Sequence, residues 1–105
     1  MAEIRVGQAD NGRTIAARVG DTIRIELEES PTTGYRWALS PVDAAIADLQ
    51  GDSFQQHGTG IGGAGTRVFR LAARSRASMD LEFRLARQWE TVAPRAEFSV
   101  HIAIS

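Results

Sequence analysis

Apolar and polar positions alternate with a period of two through most of the chain, the period of strands that bury one face. The cleanest run is Thr22-Ile23-Arg24-Ile25-Glu26-Leu27-Glu28, which sets Ile23, Ile25 and Leu27 on one side. Met79, Leu81, Phe83 and Leu85 repeat the pattern, as do Phe98, Val100, Ile102 and Ile104. Further β-compatible segments are Glu3 to Gly7, Arg13 to Val19, Tyr35 to Leu39 carrying Trp37, and Thr66 to Ala72, where Val68 stands against Arg67, Phe69 and Leu71. Turn chemistry falls between them. Asn11-Gly12 joins two β-compatible segments and predicts a tight hairpin. Gly20-Asp21 marks a second turn, and Ser30-Pro31-Thr32-Thr33-Gly34 breaks the next strand. Gly58 to Gly65 holds five of the ten glycines and is expected to be a loop. Arg87 to Arg95 reads as a polar loop containing Trp89 and Pro94. Between Pro41 and Leu49 the pattern fits one helical turn or an irregular crossover. About seven short strands, with a turn every ten or so residues, predict an all-β immunoglobulin-like sandwich, a barrel being the other closure.

At 105 residues the chain makes one domain, residues 1–105, around one core. Its formal charge of −1, with both signs mixed along the length, offers no handle for nucleic acid or anionic lipid. All 12 basic residues are arginine, scattered as compositional bias scatters them, although arginine is also favoured at interfaces. The absence of cysteine removes disulfides, thiolate nucleophiles and Cys-based metal sites. No window has transmembrane length. Met1 to Arg5 has no signal-peptide run, which leaves open the cytoplasm, or the periplasm or exterior after loss of a leader.

Candidate enzyme chemistry is thin. Gly58-Thr59-Gly60-Ile61-Gly62-Gly63 matches the dinucleotide-binding pattern literally, but that motif must open a helix whose N-terminus holds the pyrophosphate. Here the sequence beyond it alternates as a strand. His57 and His101 are the only histidines. His101 falls on the solvent side of its strand, and His57 has only Asp52 near it in sequence, so both read as surface residues. Glu28-Glu29 reads as the solvated end of a strand. No serine sits in a nucleophile elbow. The chain is expected not to be an enzyme and to need no cofactor or metal.

Three loops carry unusual chemistry: Ser30-Pro31-Thr32-Thr33-Gly34-Tyr35, the glycine-rich run, and Arg87-Gln88-Trp89. In order and spacing they resemble the three signature loops of the chagasin family of cysteine-peptidase inhibitors, approximately N-P-T-T-G-[FY], G-x-G-G and R-P-[WF]. The resemblance covers nearly the whole chain. Ser30 stands where the family has Asn and keeps a side chain able to bond the adjoining turn. Gln88 stands where it has Pro, removing a constraint on φ. The glycine motif fits either Gly60-Ile61-Gly62-Gly63 or Gly62 to Gly65, and both registers remain open.

The resemblance implies an immunoglobulin-like sandwich with the loops at one end, acting as a monomer on a papain-like cysteine peptidase. It implies a peptidase-binding set of Pro31, Thr32, Thr33, Gly34, Gly60, Gly62, Gly63, Gly65, Arg87, Gln88 and Trp89. Thr32 and Thr33 would enter the catalytic cleft, Trp89 would pack on an apolar patch beside it, and the glycine loop would lie on the other side. Inhibition would be reversible, non-covalent and competitive. Two other readings use the same residues: a non-inhibitory sandwich that binds another protein, or a carbohydrate-binding module stacking sugars on Trp89 and Tyr35. Each loop also has a plain reading, as an ordinary turn, a flexible tip, or a Trp89 folded back on the sandwich edge.

Overall fold

Strands form wherever the alternation is regular, and at one place where it is not. The computed structural model describes residues 2–30, 34–56, 64–87, 89 and 93–105. Eight strands are present: β1 (Glu3–Gly7), β2 (Thr14–Ala17), β3 (Thr22–Glu29), β4 (Arg36–Leu39), β5 (Ala47–Gln56), β6 (Gly65–Ala73), β7 (Ser78–Ala86) and β8 (Ala96–Ile104). They make two four-stranded sheets in the orders β1-β3-β6-β5 and β2-β8-β7-β4. The result is the expected sandwich, one strand richer than the sequence suggested.

The core is the inward half of each alternation. Ile23, Ile25 and Leu27 of β3, with Phe69 and Leu71 of β6, face Leu81 and Phe83 of β7 and Phe98, Val100 and Ile102 of β8. Phe69 and Phe83 meet across the sheets with ring centroids 4.9 Å apart, and Phe83 continues to Phe98 at 5.8 Å. Each such side chain contributes roughly 1.5–3 kcal/mol by leaving water. Trp37 is buried in the same cluster.

The predicted hairpin at Asn11-Gly12 does not form. β1 pairs in parallel with β3, while β2 pairs in parallel with β8 of the other sheet. A single 3₁₀ turn, Gln8–Asp10, begins the crossing between them. The dihedrals give the reason. Asn11 has φ −52° and ψ 128° and Gly12 has φ 82°, with Arg13 N–H bonded to the Asp10 carbonyl at 2.9 Å. That is a type II turn, whose twist does not match a two-residue hairpin. The turn is anchored instead to β8. Gly12 N–H donates to the Ser99 carbonyl at 2.7 Å, and Ser99 N–H donates to Asn11 Oδ1 at 2.9 Å.

The strand missed by the sequence is β5, an edge strand with a register irregularity between Leu49 and Gly51. Most of its residues are partly or fully exposed, so alternation barely marks it. The ambiguous stretch before it is a turn in which Ile46 and Ala47 N–H both bond the Asp43 carbonyl. No helix among the described residues is long and apolar enough to cross a membrane.

Candidate functional site

Three connections leave the sandwich at one end. In the first sheet, Glu29 closes β3 opposite Gly65, and Gly65 opens β6 opposite Gln56, where β5 ends. In the second sheet, Arg36 opens β4 opposite Ala86, and Leu85 pairs with Ala96, where β8 begins. The β3–β4, β5–β6 and β7–β8 connections thus share one rim. A cavity of about 260 Å³ lies among their roots and is lined by Ser30 and Tyr35, Ala64, and Arg95 with Ala96.

The first and third connections touch. Gly34 has φ +79°, the left-handed region that glycine enters without steric penalty. Its Cα faces the indole of Trp89, leaving no room for a side chain. Trp89 itself is 71% exposed, so it does not fold back on the sandwich edge. Beside it, the Tyr35 ring receives two guanidinium groups, Arg87 at 4.4 Å and Arg95 at 5.0 Å from its centroid. Arg87 leads into the third connection and Arg95 leads out of it, so one ring holds both stems. Cation–π contacts of this kind contribute about 0.5–1 kcal/mol each when exposed.

Beneath the rim lies a carboxylate that β3 turns inward. Glu29 was expected on the solvated end of β3, yet its side chain is 2% exposed. It continues the phase of Ile23, Ile25 and Leu27 and therefore points inward. Its Oε1 accepts the Trp37 backbone N–H at 2.9 Å, and its Oε2 accepts Arg67 Nε–H at 2.7 Å. Arg67 reaches on to Asp52 Oδ1 at 3.0 Å, and Trp37 Nε1–H donates to the Glu28 carbonyl at 2.8 Å. No buried side-chain polar atom is left without a partner among the described residues.

Of the residues singled out in the sequence, Gly34, Arg87 and Trp89 come together at this rim. Pro31, Thr32, Thr33, Gly60, Gly62, Gly63, Gln88 and His57 lie outside the described residues. The loop expected to run to Gly65 ends sooner, because Gly65 already pairs within β6 and packs under the Phe54 ring. The glycine-rich run thus leads into a strand, whereas a dinucleotide site needs a helix there. His101 is on the outer face as expected, its Nδ1 2.7 Å from Asp80 Oδ1. No cluster of three potential metal ligands occurs among the described residues.

Comparison with known proteins agrees with this geometry. Residues 16–104 match the model of the chagasin family of peptidase inhibitors, family I42. Chagasin of Trypanosoma cruzi is 25% identical over 105 residues, covering 93% of this chain and 94% of its own. The cysteine protease inhibitor EhICP2 of Entamoeba histolytica superposes with a TM-score of 0.90 at 21% identity, covering 100% of this chain and 97% of that one. PbICP-C, solved in complex with falcipain-2, has the same fold, with a TM-score of 0.64 at 12% identity and coverage of 100% and 98%. With the family model spanning most of the chain and three loop roots gathered on one rim, the protein belongs to the chagasin family of cysteine peptidase inhibitors.

Proposed function

We propose that this inhibitor occludes the active-site cleft of a papain-like cysteine peptidase with all three connections at once. The observation that carries the reading is the contact of Gly34 with the exposed Trp89, which joins the first and third loops into one surface. Thr32 and Thr33 are the wedge, with Pro31 and Gly34 shaping the turn that presents them. Trp89, led by Arg87 and Gln88, rests on apolar surface at one side of the cleft. Gly60, Gly62 and Gly63 allow close backbone approach at the other, and Gly65 holds that loop's root in β6.

Loops carried on a rigid sandwich lose little conformational entropy on binding, so more of the contact energy becomes affinity. A wedge with no scissile carbonyl at the catalytic groups is not cleaved. Inhibition is therefore reversible, non-covalent and competitive, by a monomer needing no cofactor. Falcipain-2 in the complex of the relative PbICP-C is a partner of this kind. The test is steady-state inhibition of papain at nanomolar inhibitor. A competitive pattern that reverses on dilution is expected, and uninhibited hydrolysis at micromolar protein rejects the reading.

A further inference from the structure

A carboxylate held 98% out of water is costly unless its partners are well placed. Glu29 is that group here. It stands on the last residue of β3, where the first loop leaves one sheet, and accepts from Trp37 N–H, where that loop has joined the other. The Trp37 indole closes a second bond over the same gap to the Glu28 carbonyl. The first loop is thus clasped across the two sheets at its stem. Through Oε2 the same carboxylate holds Arg67, whose side chain is 12% exposed, and Arg67 holds Asp52 on β5. Arg67 and Asp52 lie on the two strands that carry the glycine-rich loop. The Arg67 guanidinium also lies over the Phe54 ring, 5.5 Å from its centroid.

We infer that Glu29 is a positioning residue for inhibition, fixing the first loop relative to the glycine-rich loop through Trp37 and Arg67. It touches no peptidase in this role. It keeps the stems of two loops in the one relation that fits a cleft, so that binding selects from few conformations. The inference rests on the proposed mode of inhibition, but the coupling of the stems is measurable without a peptidase.

The test compares the parent with Glu29→Gln, Arg67→Gln, the double variant, and Ile23→Ala. Gln at 29 keeps an acceptor for Trp37 N–H and loses the charge that Arg67 needs. Ile23→Ala lowers stability from the far end of the same strand. Amide ¹⁵N relaxation at Ser30, Gly34 and Ala64 is expected to show added motion in both network variants and none in Ile23→Ala. The inhibition constant for papain, corrected for folded fraction, should rise about tenfold in Glu29→Gln, mainly through slower association, because fewer molecules present the competent arrangement. The double variant should be no worse than the poorer single one, as for groups acting through one contact. Relaxation unchanged at those three amides overturns the coupling. An inhibition constant within twofold of the parent's overturns the role in inhibition. A parent that fails to inhibit papain rejects the proposed function, while the relaxation data still decide the coupling.

Discussion

The Cα of Gly34 lies against the indole of Trp89 so closely that a methyl group on it would sit 2.6 Å from Cη2 and 3.3 Å from Cζ2. Gly34→Ala therefore meets two obstacles at once. A residue with a Cβ pays about 1–2 kcal/mol at this positive φ, and the indole must swing away. The expected outcome is inhibition weakened by about tenfold or more, with a fall in Tm of roughly 4–15 °C from the backbone strain. Inhibition kinetics beside calorimetry check it. An unchanged inhibition constant would mean that the place of the indole has no bearing on binding.

The two tryptophans should differ in their effect on stability. Trp89 is 71% exposed at the rim, so Trp89→Ala leaves Tm nearly unchanged. If Trp89 is an interface anchor, its loss costs at least about 2 kcal/mol of binding, more than tenfold in the inhibition constant. Trp37 is buried and hydrogen-bonded to β3. Trp37→Ala should cost about 3–5 kcal/mol of stability through the cavity it leaves, and lower Tm by well over ten degrees.

Gly65→Ala tests the placing of that glycine within the strand. A Cβ there would meet the Phe54 ring and lie 2.5 Å from the Gln55 carbonyl oxygen, which the backbone fixes. A loss of about 1–3 kcal/mol is expected from such overpacking, read as a lower midpoint in urea. A loop residue would tolerate the change.

At the opposite end, Asp21 accepts Ala2 N–H through Oδ1 and Arg18 N–H through Oδ2, both at 2.9 Å. These two bonds hold its carboxyl below the usual carboxylate range, against the opposing effect of burial. A lowered folded pKa means stability that is fully present above the unfolded value, about 3.9, and lost as pH falls through the folded one. The Tm gap between parent and Asp21→Asn should be widest above pH ~4 and shrink at lower pH. A gap that stays constant into acid would show that the charge of Asp21 is not what stabilises the turn.

Most of the fold was legible because one face of each central strand is buried and alternation reports that directly. Ile23, Leu81, Phe83 and Val100 are all where their period places them. β5 was not legible because an edge strand with a register irregularity at Leu49/Gly51 buries too little to leave a period. Asn-Gly suits a two-residue hairpin and a type II turn alike, and only the dihedral angles, φ −52° at Asn11 and 82° at Gly12, tell them apart. Glu29 was legible and overlooked. It sits in phase with Leu27, and Arg67 sits in phase with Phe69 on the neighbouring strand, two opposite charges pointing into one core. The rim was read from its loop motifs, whereas the contacts joining Gly34 to Trp89 and Tyr35 to Arg87 depend on tertiary placement that no local pattern encodes.

The parallel pairing of the first two strands bears on the order in which the molecule is made. β2 has no partner near it in sequence. Thr14 waits for His101, and Ala17 for Ile104, almost the whole length of the chain away. β1 finds β3 early, so the crossing through Gln8–Asp10 is tethered at one side while the other hangs open until β8 is synthesised. Closing so long a loop carries its full entropic cost before any contact repays it. During synthesis the ribbon from Gly12 to Ala17 is therefore the last seam to close, and until then the edge of β8's sheet has no cover. A ribosome-bound chain halted before β8 should leave that ribbon open to protease while the β3–β6 pairing, with Ile25 opposite Phe69, is already protected.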